Sequence, residues 1–344
     1  MKLVFRDSPH YLHSITGVGN CPASSLKLLD EPLIVRNVRI LTRLFDLDVV
    51  MIPPEFRYTI QLVQDNFPLV NVEESHDGND NFHTSFNADP NYSNWPELIT
   101  TRKVREVESI HNRGSSSYNN GVIKRLTSDR AMDVFEIPLN CVLWHSQTTE
   151  NLLIESIVYP WDLLYVTQKI LHEEVKCTVI SPNASVAKTS ILDGPCIIED
   201  NVTIDDFCKI KGPTYIANSS FIGMSSLIRN CMFGGNTHIG FNCEIGKSYF
   251  VGHDKIAHQN VILDSLIGKN VWFGGYAGTA NVLLTRKNIR YDVGYGKLVD
   301  TKINHFGALI GNNCAIGAST IILPGRHVPP NTIIQAGTIV GKKE

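Results

Sequence analysis

The stretch "IAHQNVILDSLIGKNVWFGGYAGTAN", residues 256–281, brings a histidine, a glycine-rich turn and an asparagine close together in the chain. Histidine ionises near neutrality, so His258 can take a proton from a reacting group. Backbone N–H groups at a tight turn can stabilise a developing oxyanion. Asn281 can hold a reacting amine or amide in line. Plainer readings stand beside these. A lone histidine is more often a surface or packing residue, and asparagine readily forms turns. His253 is a second histidine on the same stretch of chain.

Whatever these residues do, a repeat must position them. From Ile180 every sixth residue is aliphatic, through Val186, Leu192, Ile198, Ile204, Ile210, Ile216 and Ile222 to Ile228. The beat slips by one, resumes at Ile239, Ile245 and Val251, and returns as Ile310, Ile316, Ile322, Val328, Ile334 and Val340. Glycine often follows the aliphatic residue, as at Gly223, Gly240, Gly268 and Gly317, and a small residue such as Ser220, Ser226 or Thr320 comes four places after it. A period of six fits neither a helix nor a two-sided strand. It fits a short strand and a corner, with one large residue per side pointing into a narrow interior. Stacked coils then bury a continuous aliphatic column. Glycine would allow the corner its backbone conformation. One stretch, about 283–305, breaks the beat and carries Arg286, Arg290, Lys297 and Lys302. A long insertion in a regular scaffold is more often functional than accidental, although a tolerated surface loop is the plainer reading.

Composition excludes several classes. The net charge of −3 gives no electrostatic footprint for nucleic acid or an anionic membrane. The opening "MKLVFRDSPHYLHS" lacks the layout of a signal peptide, and no apolar run approaches the roughly 20 residues of a membrane helix. The expectation is a soluble, cytoplasmic protein. Of the 8 cysteines, Cys196, Cys208, Cys243 and Cys314 fall four residues after a core aliphatic, where a small buried side chain belongs. No CxxC pair offers a metal site.

In the first half, "LDVVMIPPEF" and "MDVFEIPLNCVLWH" read as strands, and "EPLIVRNVRILTRLF" as a strand entry feeding an amphipathic helix. Strands alternating with helices suggest an α/β domain over 1–155. The segment "VYPWDLLYVTQKILHEEVK" reads as a connecting helix over 156–176, with Pro160 in its first turn and Asp162 complementing its N-terminus. Its apolar side comprises Trp161, Leu164, Ile170 and Leu171. Two polar stretches, "EESHDGNDNFHTSFNADPNYSNWP" and "HNRGSSSYNNG", read as loops.

The hexad pattern resembles the hexapeptide-repeat, left-handed parallel β-helix family, over about 177–344. The order "DEPLIVRNVRIL", "DVVMIPPEF" and a "YPWDLL" helix leading into hexad coils resembles the bifunctional sugar-phosphate nucleotidyltransferase and glucosamine-1-phosphate N-acetyltransferase family. The resemblance implies a homotrimer, acetyl-CoA as co-substrate and an amino-sugar phosphate or nucleotide sugar as acceptor. Its nucleotidyltransferase signature is degenerate: Gly17 and Gly19 stand in "SITGVGNCPASSLKLLDEPLI", but the phosphate-cradling arginine does not.

Residue by residue, the resemblance puts His258 at the family's base and Asn281 at the asparagine of its "GAG…AN" turn. It puts Arg229, in "IRN", at a phosphate contact. Glu244, in "CEIGKS", Lys247 and His305 are the further substrate contacts. Gly275, Ala308, Ala318 and Ala336 would line the acetyl-CoA channel. Four positions depart from the pattern: Gly246 replaces a lysine, Val261 a tyrosine, Trp272 an asparagine, and His305 a lysine before "FGALIG". Loop cations at Arg286, Arg290, Lys297 and Lys302 could supply the lost charge. The expected function is an acetyl-CoA-dependent N-acetyltransferase. A sugar-1-phosphate nucleotidyltransferase, or an oligomeric binding protein with relic sites, stands as the alternative.

Overall fold

A computed structural model describes residues 2–6, 26–44, 47, 49–52, 57–74, 121–123, 134–138, 140–145, 152–293 and 298–341. Gly17, Gly19, Lys297 and most of the two polar stretches lie outside the described residues. Two compact units divide between Val158 and Tyr159, and Lys27–Asp30 belongs with the second.

In the first unit a parallel four-stranded sheet runs in the order Asn71–Glu74, Val49–Ile52, Lys2–Arg6, Val134–Pro138. Helix α1 (Leu33–Leu44) follows the short strand Glu31–Pro32, and α2 (Arg57–Asn66) follows Val49–Ile52. Burial of Ile34, Val38 and Leu41 with Val50, Ile52 and Val63 makes the core. Asn37 is fully buried in it, yet satisfied. Its amide donates to the Cys141 carbonyl at 2.8 Å and its oxygen accepts the Leu143 N–H at 2.9 Å. Among the described residues, Val49–Ile52, Val134–Pro138 and Cys141–His145 are strands and Leu33–Leu44 a helix, within the segments read so from sequence, while the central strand Lys2–Arg6 was not anticipated.

Helix α3 (Pro160–Glu174) opens the second unit as expected, with proline at its start and Asp162 accepting the Tyr159 N–H at 2.8 Å. Trp161, Leu164, Ile170 and Leu171 are buried. Beyond it the chain winds into a parallel β-solenoid of three eight-stranded sheets. Face A runs from Val179–Ile180 to Arg326–Val328, face B from Ser185–Val186 to Ile333–Ile334, and face C from Ile191–Asp193 to Ile339–Val340. Every pairing along these faces is parallel and in register, so each coil sits on the one before it. One core residue per side fills the interior: Ile216, Ile222 and Ile228 in one coil, then Phe233, Ile239 and Ile245 in the next.

Two details differ from the sequence reading. Between Ile228 and Phe233, Ile245 and Phe250, and Ile262 and Ile267, the step from face C to face A is five residues rather than six. The core position therefore belongs to Phe250, which is buried beside Phe233, and Val251 is only half-buried. The glycines also serve another purpose. The left-handed corner conformation falls mostly on Asn236, Asn242, Gln259, Asn270 and similar residues. Gly240 and Gly317 are needed because a Cβ would lie 2.8 Å from the Ala257 carbonyl carbon and 2.3 Å from the Ala336 nitrogen. Close stacking of coils, not turn geometry, excludes a side chain there.

At several corners a residue four places after the core residue, or three where the step is five, caps a backbone group of the next coil. Ser220 Oγ accepts the Thr237 N–H at 3.2 Å, Ser226 Oγ that of Cys243 at 3.1 Å, and Ser248 Oγ that of Ser265 at 3.1 Å. Asp254 does the same for Val271 at 2.8 Å, but with a carboxylate that is completely buried. Burial raises its pKa well above the usual carboxylate value of 3.8. The folded state therefore holds a proton that the unfolded chain releases, and stability falls as pH rises above that value. Asp254→Ser, which keeps an acceptor there, is expected to gain in melting temperature over wild type, by more at pH 8 than at pH 4.5. Each kcal/mol corresponds to roughly 2–4 °C. A gap that is the same at both pH values would refute this.

Among the described cysteines, Cys196, Cys208, Cys231, Cys243 and Cys314 are free and buried in the solenoid. Burial raises the Cys231 thiol to about 12, so it is a packing group rather than a nucleophile.

Candidate active site

The edge where face B turns into face C carries the histidine. His258 follows the strand Lys255–Ile256 by two residues, and the next corner residue, Gln259, takes the left-handed conformation. Its place is fixed by a ladder of peptide bonds from coil to coil. Asn242 N–H donates to Met224 O at 2.9 Å, Gln259 N–H to Phe241 O at 2.8 Å, and Tyr276 N–H to His258 O at 3.0 Å. Ser319 N–H donates to Gly275 O at 2.9 Å and Gly337 N–H to Ala318 O at 2.8 Å. One column therefore runs Met224, Phe241, His258, Gly275, Ala318, Ala336. Bulky apolar side chains lie on one side of the histidine and only hydrogen or methyl on the other. At about 4.8 Å per coil, the smooth half is a strip roughly 15 Å long ending at an imidazole.

Sequence reasoning placed four of these residues in the site without knowing that they share an edge. Ala308, also expected in the cofactor channel, does not join them. It lies in the face A strand Ala308–Ile310, completely buried, with its N–H bonded to Ser265 Oγ at 3.0 Å. The resemblance placed it by its motif, but the strand that returns from the insertion enters face A, which lies opposite the B–C edge.

His258 is exposed, and its Nδ1 accepts the Phe241 N–H at 3.2 Å. A nitrogen that accepts cannot carry the proton, so the neutral ring held this way bears it on Nε2. The side of the ring facing solvent is then a donor. Asn260, buried beneath the corner, holds it from below: its Nδ2 donates to Ala257 O at 2.9 Å and His258 O at 3.3 Å.

A second group of expected residues gathers at the C–A edge. Lys247 N–H donates to Arg229 O at 2.8 Å, Asp264 N–H to Gly246 O at 2.9 Å, and Gly307 N–H to Asp264 O at 2.8 Å. Arg229 is ion-paired with Glu244 on face C, with its Nε buried and unpartnered. Asn281 Nδ2 donates to Asp264 Oδ2 at 2.6 Å, while its carbonyl accepts the Phe306 N–H at 2.9 Å. Asn281 is thus the neck of the insertion, and Asp264, which the sequence reading missed, is its partner. Face C lies between this edge and that of His258. Along it the Glu244 N–H donates to the Asn260 carbonyl at 2.9 Å, a backbone link between the two groups.

The insertion folds onto face A. Its strands Arg290–Asp292 and Leu298–Asp300 pair antiparallel, and Tyr291 packs edge-on against Trp161 with centroids 5.6 Å apart. Lys302 lies 3.5 Å from Asp300, whose pKa is lowered chiefly by the Lys302 backbone N–H. Arg286, Arg290 and His305 are exposed, His305 with Nδ1 2.7 Å from Asn304 Oδ1. His253, the other histidine considered, stands at the A–B edge with φ 61°, in line with the asparagines that form that corner.

The outer side of face B was also missed. Phe221 and His238 stack with centroids 4.6 Å apart, and Lys255 and Trp272 follow in register on the next two coils. Burial, then Lys255 and His258, lower the His238 pKa. Aligning the corners every 17 or 18 residues would have revealed this column.

No protein-family model matches the chain. Among curated proteins, the bifunctional protein GlmU of Methanococcus vannielii is 30% identical over 186 residues, 53% of this chain and 43% of that one. The bifunctional sugar-1-phosphate nucleotidylyltransferase/acetyltransferase of Sulfurisphaera tokodaii is 29% identical over 185 residues, 53% of this chain and 45% of its own. The uncharacterized acetyltransferase YaiX of Escherichia coli is 27% identical over 173 residues, 50% of this chain and 67% of its own. The chain therefore spans less than half the length of the bifunctional proteins. Among solved structures, the UDP-N-acetylglucosamine acyltransferase of Francisella novicida aligns with 46% of this chain and 65% of its own, at 18% identity. Its TM-score of 0.31 is too low to carry an argument.

Proposed function

From a chain related over half its length to bifunctional sugar-1-phosphate nucleotidylyltransferase/acetyltransferases, we propose an acetyl-CoA-dependent N-acetyltransferase acting on an amino sugar carried on phosphate or on a nucleotide. The observation that supports it most is the B–C column, in which His258 ends a strip made of Gly275, Ala318 and Ala336. The pantetheine arm would lie along that strip against backbone, with its thioester at the imidazole. The amine passes a proton to His258 and adds to the thioester carbon. The C–N bond forms, the C–S bond breaks, and the departing thiolate takes up the proton.

For this the ring must present a lone pair, so His258 gives up the Phe241 N–H when substrate arrives and carries its proton on Nδ1 instead. Arg229 and Lys247 would face the acceptor phosphate, with Glu244 holding Arg229. Asn281, which face C separates from His258 within one protomer, would position the amine from a neighbouring protomer, through the carboxylate-bound end of its side chain. The solenoid would be left-handed and would form a homotrimer, which the exposed Val261, Ile321 and Ile339 along face C favour. The first unit would be a nucleotidyltransferase-like α/β domain that has lost nucleotidyl transfer.

The test is thiol release from acetyl-CoA with glucosamine 1-phosphate, galactosamine 1-phosphate and nucleotide-linked amino sugars as acceptors. Turnover above the acceptor-free rate is expected with at least one. No release with any would refute the assignment. A second reading, a relic site on an oligomeric scaffold, is favoured by the occupied Nδ1 of His258. It predicts no turnover and no binding of acetyl-CoA.

A further inference from the structure

The outer side of face B between the two edges is basic and aromatic over several coils. Lys255 is exposed, with Trp272 one coil above it and the His238–Phe221 stack below. Trp272 is 50% exposed, and its register partner on the next coil is the small Ala315. Lys269 and His253 flank the face from the A–B edge, His258 from the B–C edge. Between 235 and 276 the acidic residues are Glu244, Asp254 and Asp264. None of them faces this surface. Glu244 is paired with Arg229 on face C, Asp254 is buried inside the corner, and Asp264 binds Asn281 at the C–A edge.

A flat aromatic surface beside uncompensated ammonium groups fits a ligand with a planar ring at one end and a phosphate chain at the other. Stacking is tolerant of base identity, and lysine is a point charge suited to phosphate. Coils about 4.8 Å apart put Lys255 within reach of a phosphate whose base lies on Trp272. We propose that face B beside His258 binds a nucleoside diphosphate, the base stacked on Trp272 and the phosphates held by Lys255 and Lys269. This deepens the acyltransfer reading, on which its link to catalysis rests. The acceptor is then an amino sugar linked to a nucleoside diphosphate whose phosphates sit at Lys255 and Lys269 in place of Arg229 and Lys247, with the sugar reaching over the B–C edge to His258. The same chemistry is found in the nucleotide end of coenzyme A, so the two sources must be separated.

The test is calorimetry on the full chain with UDP, GDP, uridine, pyrophosphate and coenzyme A. UDP or GDP is expected to bind, with uridine and pyrophosphate each at least about tenfold weaker. Trp272→Ala and Lys255→Ala are each expected to weaken the diphosphate by about tenfold, and Trp272→Phe to restore most of the loss. If UDP and GDP do not bind but Trp272→Ala weakens coenzyme A to that extent, the nucleoside diphosphate bound is the cofactor's own. If no probe responds to either substitution, the site does not exist. Trp272→Ala converting an oligomer to monomers without any change in nucleotide binding overturns it too, by making Trp272 an interface residue. Thiol release is scored separately. Turnover that is equal for glucosamine 1-phosphate and nucleotide-linked sugars, and unmoved by Trp272→Ala, keeps the acyltransferase and refutes this site. Loss of all turnover with intact UDP binding does the reverse.

Discussion

His258→Ala is expected to lower kcat for acetyl transfer by about 10²–10⁴, the usual contribution of a positioned general base, while the melting temperature stays near that of wild type. The two halves of this expectation have different grounds. His258 is exposed and makes one side-chain hydrogen bond, from the Phe241 N–H, at the solvent surface. Losing a bond of that kind costs about 0.5–1.5 kcal/mol at most, since water can replace the acceptor. The corner itself is built from backbone ladders and from Asn260, which the substitution leaves in place. Catalysis has no such replacement, because the column offers no other titratable side chain between Phe241 and Ala336. His253→Ala, at the A–B edge, serves as the control and is expected to leave kcat within about twofold. A His258→Ala enzyme that keeps a third or more of wild-type kcat would remove the histidine from the mechanism.

Filling the smooth strip is the second large effect. Gly275→Phe is expected to raise KM for acetyl-CoA by at least about tenfold, or 1.4 kcal/mol, with little change in melting temperature. A Cβ at Gly275 would meet only the His258 carbonyl oxygen, at 3.5 Å, which is ordinary contact. The neighbouring Gly274 makes the contrast. There a Cβ would lie 2.5 Å from the Ala318 nitrogen, against backbone that cannot move without breaking the coil stack. Gly274→Val is therefore expected to lose folded protein, and Gly275→Phe to keep it. Equal KM values for Gly275→Phe and wild type, measured by thiol release, would show that the cofactor does not use this edge.

Much of the second unit could be read from the chain because each coil repeats the same physical demand. An interior three strands wide accepts one large apolar side chain per side, so Ile198, Ile204 and Ile210 announce themselves. The cysteines at corner positions were legible for the same reason: Cys208 and Cys243 occupy the place that Ser226 fills elsewhere. Phe233 and Phe250 were not, because a beat of aliphatics hides an aromatic that fills the same space one residue early. In the site, His258, Gly275, Ala318 and Ala336 could be named but not related. Their common edge depends on coil length, which an insertion of unknown path conceals. Ala308 failed on that point. The Asn281–Asp264 and Arg229–Glu244 pairs join residues 17 and 15 apart, and Trp272 over Lys255 needs the same register. The Phe241 N–H on His258 is a backbone contact, which side-chain types do not encode.

The five-residue steps at Phe233, Phe250 and Ile267 share one corner with the long insertion. From face A to B and from B to C, every step between core residues is six. Changes of chain length, by loss of one residue or gain of a hairpin, have thus been absorbed wholly where face C meets face A. The B–C edge has been left as a fixed ruler. A lineage of such proteins could lengthen, shorten or exchange the C–A segment without shifting the imidazole relative to the strip above it. Length is free to change at one edge while the column at another keeps its register.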